Sequence, residues 1–192
     1  MERVQAILDA ADRILAEEGY EAATLGAVGK RAGIPTASVY HYFADRNQVD
    51  AALMERHGRD IDELVATAAG GSEPGSLRAV VDALIDPHLA YARKHPSVVE
   101  LWHAPGRPPV LVDLEEAWGK SQAELFRRRL IERKLIADDT PRLAVEIAYE
   151  AVDRAFGIAF KNSRTGDEAT IDEARRLMTA YLETYAPKRP QH

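Results

Sequence analysis

Apolar residues recur every three to four positions along most of this chain, which is the spacing of one face of an α-helix. Near the N-terminus this pattern predicts a first helix over residues 3–18, and Gly19 follows it as a stop. Since no segment of four to eight residues alternates apolar and polar side chains, we predict an all-α fold of about nine helices. The other helices are expected over about 25–32, 36–42, 46–69, 77–91, 96–102, 110–135, 141–160 and 171–185.

Local residue chemistry predicts where two helices begin and where the chain divides. The segments Asp45–Gln48 and Thr170–Glu173 have the spacing of a capping box at a helix N-terminus. Asp45 and Thr170 would be the N-cap residues. No flexible linker separates the third helix from the fourth, so we expect the fourth helix to belong to both parts. We predict an N-terminal unit over residues 1–46 and a C-terminal helical bundle over residues 47–192.

The segment from residue 24 to residue 46 has the pattern of two short helices joined by a tight turn. Gly33 tolerates the left-handed backbone that such a turn needs, and Gly29 leaves room where the helix axes cross. The second helix would present short or hydrogen-bonding side chains to the DNA major groove, so the segment predicts a helix-turn-helix. Apolar positions suited to anchor it are Val28, Ala32, Ile34, Val39 and Tyr42.

Six motifs mark the first 50 residues. They are Ile7-Leu8-Asp9-Ala10-Ala11, Gly19-Tyr20, Thr24-Leu25, Ala32-Gly33-Ile34, Val39-Tyr40-His41-Tyr42-Phe43 and Asp45-Arg46. This set resembles the TetR family of bacterial transcription regulators. The resemblance implies a DNA-binding N-terminal unit, a C-terminal bundle that holds an inducer, and phosphate contacts by Tyr40 and Arg46. The DNA-contacting residues that it implies are Thr24, Thr36, Ala37, Ser38, Tyr40, His41 and Arg46.

Charge and composition limit how DNA would be bound. The 192 residues carry 25 Lys and Arg against 31 Asp and Glu, a formal net charge of −6, and no cysteine. Within the helix-turn-helix segment, however, Lys30, Arg31 and Arg46 outnumber Asp45. We therefore expect few phosphate contacts per subunit and reliance on dimerisation for affinity. The absence of cysteine excludes disulfides and cysteine-based metal sites.

Small residues lie along one side of the helix that follows Pro141, where they would let a partner helix approach closely. The resemblance also implies a homodimer formed by the last two helices, as a palindromic operator requires. An internal helix crossing is the alternative explanation of the small residues. The expected interface residues are Ala148, Val152, Ala155, Ala159, Leu177, Met178 and Tyr181.

Large and polar side chains interrupt the apolar faces of the middle helices, a mixture that is typical of a ligand pocket. A bound small-molecule inducer would shift the separation of the two helix-turn-helix units. Core packing is the alternative for the two tryptophans, and a satisfied buried histidine is the alternative for His88. The candidate ligand-binding residues are His88, Tyr91, Trp102, Trp118, Gln122, Tyr149 and Asp153.

Other classes of function have little support in the sequence. It contains no Gly-rich phosphate loop and neither a Gly-x-Ser-x-Gly nor a His-Glu-x-x-His motif, so we expect no enzymatic activity, catalytic residue, metal or cofactor. Charged residues interrupt the N-terminal segment, which predicts a cytoplasmic protein without a membrane span. The interpretation is a homodimeric, ligand-responsive repressor that binds double-stranded operator DNA. The alternative is a helical small-molecule-binding or interaction protein whose helix-turn-helix does not bind DNA.

Overall fold

The computed structural model describes residues 2–69, 75–103, 105–161 and 163–187, and these ranges contain nine α-helices, a 3-10 helix and no strand. The all-α prediction is therefore confirmed for the described chain. None of the helices in these ranges combines the length and the apolar character that crossing a membrane requires. The helices are α1 (Glu2–Glu18), α2 (Leu25–Ala32), α3 (Thr36–Tyr42), α4 (Arg46–Ala69), α5 (Leu77–Lys94), α6 (Pro96–His103), α7 (Pro109–Glu132), α8 (Arg142–Lys161) and α9 (Glu168–Glu183), and the 3-10 helix is Tyr20–Ala22.

Residue contacts divide the chain into two compact units. Unit 1 comprises Met1–Ile61 and Tyr91–Glu115, and unit 2 comprises Asp62–Ala90 and Glu116–His192. Helices α4, α5 and α7 therefore contribute residues to both units. The predicted functional division between residues 46 and 47 falls within unit 1 and stays a prediction.

Helix α1 supplies much of the apolar core of unit 1. Ile7, Ala11 and Ile14 follow one another at spacings of four and three residues, share one face, and are buried. With this face α1 packs against α2 and α6. Burying one isoleucine side chain stabilises a fold by about 1.5–3 kcal/mol, so this contact fixes α1 on its neighbours.

The predicted helix-turn-helix is present as α2, a turn at Gly33, and α3. The Thr24 hydroxyl caps α2 by accepting a hydrogen bond from the Ala27 amide at 3.2 Å. Gly33 adopts the left-handed conformation, with φ 67° and ψ 27°. The next amide, that of Ile34, donates to the Gly29 carbonyl at 2.9 Å and closes the turn.

Gly29 lies where α3 comes closest to α2. A Cβ atom added at Gly29 would be 2.9 Å from the Ile34 carbonyl oxygen and 3.1 Å from a methyl carbon of Val39. The predicted role of Gly29 at the helix crossing is therefore confirmed. The prediction of Tyr42 as an apolar anchor is wrong, because that ring is exposed. Helix α3 ends there, and the following residue, Phe43, turns into the core from extended backbone.

The two predicted helix caps differ in outcome. At α4, the Gln48 amide donates to Asp45 Oδ1 at 3.0 Å, while Gln48 Oε1 accepts from the Ala44 amide at 2.9 Å. This capping box is confirmed. At α9, Thr170 does not cap the helix, since it lies within the first turn. The cap is Asp167, whose carboxylate accepts a hydrogen bond from the Thr170 amide at 2.9 Å.

Unit 2 is held together by helix packing and by one buried cation. Helices α8 and α9 pack closely against each other. Arg175 of α9 is only 8% exposed and reaches two carboxylates of α5, with nitrogen–oxygen distances of 2.7 Å to Asp82 and 2.5 Å to Asp86. Because both carboxylates keep access to water, these pairs tie α5 to α9 without burying three charges.

Candidate functional site

The outer face of α3 carries most of the residues implied to contact DNA. Val39 is fully buried and holds the helix on unit 1, whereas Tyr40 is 56% exposed. The helix therefore turns one apolar side chain inward and offers hydroxyl and imidazole groups to solvent. The exposed positions are Thr36, Ala37, Tyr40 and His41, and Ser38 is partly buried.

Basic side chains near this face differ in how far they are already paired. Arg31 lies 2.7 Å from a Glu17 oxygen and 2.6 Å from a Glu18 oxygen, both at the end of α1. Lys30 is exposed, and within the described chain it has no ion-pair partner. Thr24, at the start of α2, is exposed too. Lys30 is therefore the lysine of this segment that is available to a phosphate.

Arg46 is engaged inside unit 1. Its Nε donates to Asp50 Oδ2 at 3.2 Å, a terminal guanidinium nitrogen donates to the Tyr20 carbonyl oxygen, and its guanidinium carbon lies 3.9 Å from the centre of the Tyr20 ring. The Tyr20 hydroxyl also donates to Asp50 at 3.0 Å. Burial raises the pKa of Asp50, and Arg46 and Tyr20 oppose that shift. Arg46 thus anchors the start of α4, and its implied phosphate contact stays a prediction.

Unit 2 brings a histidine and a tryptophan of the predicted ligand set together. The ring centres of His88 and Trp118 are 6.1 Å apart. His88 Nδ1 is 2.8 Å from the Leu84 carbonyl oxygen, which can only accept, so Nδ1 carries the hydrogen. Burial lowers the pKa of His88, which leaves the ring neutral and Nε2 an acceptor. Nε2 is buried, and no described residue donates to it.

Carboxylates surround the tyrosine of this cluster. Burial raises the pKa of Tyr149, and the charges of Asp153, Asp62 and Glu150 raise it further. Burial also raises the pKa of Asp62, against a smaller opposing hydrogen bond from the Trp118 indole. The Asp62 carboxylate therefore has one donor and keeps lone pairs for others. Within the described chain, His88 Nε2 is the acceptor of this cluster that lacks a donor.

The predicted ligand-binding residues do not all belong to one unit. Tyr91 and Trp102 are buried in unit 1, where the Tyr91 hydroxyl donates to Asp60 at 2.8 Å. Gln122 is partly buried on α7 in unit 2, together with the other four predicted residues. Contact of any of the seven with a ligand stays a prediction, and the unsatisfied acceptor His88 Nε2 favours the residues of unit 2.

Most of the small residues expected at the dimer interface are buried within the single chain. Ala148 and Ala159 of α8 and Met178 of α9 are almost completely inaccessible, Val152 is buried, and Ala155 is partly exposed. Since α8 and α9 pack together, the internal helix crossing is sufficient to bury these residues. Their place in a dimer interface stays a prediction.

A neighbouring stripe of α8 is apolar and exposed. Leu143, Ile147 and Ile158 lie four and eleven residues apart, which places them on one helix face, and they are 63%, 49% and 52% exposed. On α9, Leu177 is 50% exposed and Tyr181 is partly exposed. These two α9 residues were expected at the interface, whereas the three exposed α8 residues were not among the predicted ones.

Asp62 and Lys30 were not among the predicted site residues. Asp62 had no usable signal, because it approaches Trp118 and Tyr149 only after three helices have packed. Lys30 became distinguishable from Arg31 only when the ion pairs of Arg31 with α1 were seen.

Two family models match the chain, one over its N-terminal part and one over its C-terminal part. The model described as "Bacterial regulatory proteins, tetR family" matches residues 7–55. The model described as "Tetracyclin repressor-like, C-terminal domain" matches residues 76–182, which is more than half of the chain. The chain belongs to the TetR family.

The similarity to known proteins extends over nearly the whole chain. The HTH-type transcriptional regulator BetI of Stenotrophomonas maltophilia is 26% identical over 185 residues, covering 94% of this chain and 91% of that protein. A solved TetR-family transcriptional regulator from Streptomyces coelicolor is 31% identical, with a TM-score of 0.75 over 95% of this chain and 99% of that one. The fatty acid degradation regulator FadR from Bacillus halodurans, at 16% identity, shares the fold with a TM-score of 0.70 over 91% of this chain and 97% of that one. This TetR-family chain is therefore a ligand-responsive, DNA-binding transcription regulator.

Proposed function

We propose that this regulator is a homodimeric repressor that a small molecule releases from a palindromic operator. The observation that carries the proposal is the outer face of α3, where Val39 is buried and Tyr40 with its neighbours faces solvent. A helix that exposes hydroxyl and imidazole groups suits the major groove. A two-fold dimer presents two such helices to the two half-sites of a palindrome.

In this proposal residues 1–46 bind DNA, and residues 47–192 bind the inducer and dimerise. The repressor acts in the cytoplasm, where its operator lies, and it needs no catalytic residue, metal or other cofactor. One observation favours the second candidate function, a ligand-binding protein that does not bind DNA. Arg31 and Arg46 are held by carboxylates of unit 1, which reduces the positive charge free for phosphates.

DNA binding is tested by fluorescence anisotropy with the fragment upstream of the protein's own gene, over a series of salt concentrations. Lys30→Ala is expected to reduce the slope of log affinity against log salt by about 0.9 for each lost phosphate contact. Tyr40→Phe removes a neutral donor, so it lowers affinity but leaves the slope unchanged. Lys120→Ala, an exposed lysine on α7, is the charge-matched control. Absence of wild-type binding at moderate salt would support the second candidate.

The exposed apolar stripe of α8 and α9 is the proposed dimer interface. Leu143, Ile147 and Ile158 of α8 lie beside Leu177 and Tyr181 of α9 in this proposal, and a second copy of the chain covers them. Exposed leucine and isoleucine in one stripe lose contact with water on association, which supplies the driving force. Close packing of α8 on α9 within each chain keeps the two stripes in a fixed relation.

Dimerisation is tested by light scattering after size-exclusion chromatography. Ile147→Asp is expected to convert the dimer to a monomer, because it would bury an unpaired carboxylate in the interface. Leu64→Asp, at another exposed apolar position of unit 2, is the matched control and should remain dimeric. A dimeric Ile147→Asp protein with unchanged dissociation constant would contradict this interface.

The inducer is proposed to bind in unit 2 and to present hydrogen-bond donors. His88 Nε2 is a buried acceptor without a donor in the described chain, and the Asp62 carboxylate accepts from the Trp118 indole with lone pairs to spare. A buried acceptor left unsatisfied costs about 1–3 kcal/mol, and a donor on the ligand recovers that energy. Trp118 and Tyr149 add flat apolar surface beside these acceptors.

The polarity of the ligand is tested by thermal shift with matched sets of small aromatic amines and aromatic carboxylic acids. The amines are expected to raise Tm and the acids to leave it unchanged. For each active amine, His88→Phe and Asp62→Ala should reduce the shift, while Lys120→Ala retains it. Stabilisation by the acids alone would refute the assigned polarity.

A further inference from the structure

A buried polar network in unit 1 joins four helices around His57. His57 lies on α4 and is 1% exposed. Its Nδ1 is 2.8 Å from the Tyr91 hydroxyl oxygen on α5, and its Nε2 is 3.1 Å from Asp12 Oδ1 on α1. The Trp102 ring of α6 meets the imidazole edge-on, with ring centres 6.4 Å apart.

Hydrogen-bond accounting assigns both ring protons to His57. The Tyr91 hydroxyl has a single hydrogen, and it donates that hydrogen to Asp60 Oδ2 at 2.8 Å. The hydroxyl oxygen must therefore accept from His57 Nδ1–H. Asp12, as a carboxylate, can only accept, so His57 Nε2 carries a hydrogen as well. An imidazole with two donating nitrogens is the imidazolium cation.

The surrounding charges favour this cation. Arg56 lies 2.6 Å from Asp9 and 3.4 Å from Asp12, and Asp60 adds a third carboxylate. One arginine thus faces three carboxylates, and the His57 proton reduces the remaining negative charge. Burial alone would raise the pKa of Asp12, but hydrogen bonds and the charges of His57 and Arg56 lower it. A buried cation that is paired and fully hydrogen-bonded is tolerated inside a protein.

The remaining titratable neighbour is neutral. His95 stacks on the Tyr91 ring with centres 4.2 Å apart and lies 6.0 Å from the His57 ring. Burial lowers the pKa of His95, and the positive charge of His57 lowers it further. Ser97 contributes a hydrogen bond to Asp12 and carries no charge. The proton of the network therefore resides on His57.

We propose that His57 is a cationic joint that holds α1, and with it the helix-turn-helix, to α4 and α5. His57 donates to Asp12 on one side and to Tyr91 on the other, and its charge faces Asp12 and Asp60. A neutral side chain in its place would not supply both this charge and these two hydrogen bonds, and α1 would be less firmly held. This proposal does not depend on DNA binding or on the ligand, because the joint lies wholly within unit 1.

The protonation state is measured directly by long-range ¹H–¹⁵N correlation of the histidine rings in the full-length ¹⁵N-labelled protein. His57 is assigned from the peak set that is missing in His57→Gln, or by selective labelling if that variant does not fold. Both His57 nitrogens are expected to carry hydrogen in the folded protein at neutral pH. A bare nitrogen on His57 would place the proton on Asp12 or Asp60 and overturn the proposal.

The energetic consequence is measured by urea unfolding at one neutral pH. Removing one partner of a buried, hydrogen-bonded pair leaves the other unpaired, so His57→Gln is expected to raise the unfolding constant at least tenfold. His41→Gln, at an exposed histidine, should leave the unfolding constant unchanged. Equal unfolding constants in wild type and His57→Gln would overturn the proposal.

Discussion

The close approach at Gly29 allows a prediction whose sign is decided by two opposing effects. Replacing glycine by alanine inside a helix stabilises it by about 1 kcal/mol through backbone entropy and helix propensity. At Gly29, however, the new Cβ would be 2.9 Å from the Ile34 carbonyl oxygen and 3.1 Å from Val39 Cγ2. The carbonyl belongs to the turn itself, so α3 must move to relieve the contact.

Gly26 is a matched control in the same helix. A Cβ atom added at Gly26 meets no atom within 4 Å, so Gly26→Ala gains at most about 1 kcal/mol without a contact cost. Forcing an extra methyl into a packed site costs about 1–3 kcal/mol. The two variants therefore differ by about that amount, with Gly29→Ala the less stable one and less stable than wild type by up to about 2 kcal/mol.

Urea unfolding followed by circular dichroism measures both variants at one pH. The same preparations are then compared for binding to the upstream DNA fragment, where Gly29→Ala is expected to lose affinity because α3 is displaced. If Gly29→Ala is as stable as Gly26→Ala, the helices are not in close contact at Gly29, and the account of the helix crossing is refuted.

Arg175 and Gly33 give two further predictions about stability. Arg175→Ala should lower the free energy of unfolding by about 1–2 kcal/mol, which is less than for a fully buried pair because Asp86 stays largely exposed. Its control, Arg176→Ala at an exposed arginine, should cost at most about 0.5 kcal/mol. Equal effects of the two variants in urea unfolding would count against the ion pairs between α5 and α9. Gly33→Ala should cost about 1–2 kcal/mol, because its φ of 67° strains any residue with a Cβ although open space surrounds it. No loss of stability in thermal unfolding of that variant would mean that the turn does not need the left-handed conformation.

Short-range chemistry explains which parts of the fold were predictable. The helix periodicity, the cap at Asp45, and the roles of Gly29 and Gly33 depend on residues within about one or two turns of one another. The same locality made the outward face of α3 predictable, because Val39 alone had to be buried there. Where the chain leaves a helix, as at Phe43, the spacing rule stops applying and the prediction of Tyr42 as an anchor was wrong.

Long-range packing decided the rest of the candidate sites. A stripe of small residues on α8 has the same sequence pattern whether α9 of the same chain or a second copy covers it, and only the tertiary structure shows that Ala148 and Ala159 are already buried within one chain. Arg46 had the charge expected for a phosphate contact, yet the position of Asp50 and Tyr20 determines where its guanidinium lies.

The sequence by itself determined the all-helical fold, the helix-turn-helix and the resemblance to the TetR family, because these depend on spacings along the chain. Only the tertiary structure decided that His88 Nε2 lacks a donor, which apolar stripe is exposed, and that His57 meets Asp12 and Tyr91. Those partners are 45 and 34 residues away. Hydrogen bonds and burial depend on proximity in space. Residues so far apart in sequence come close to one another only when the helices pack.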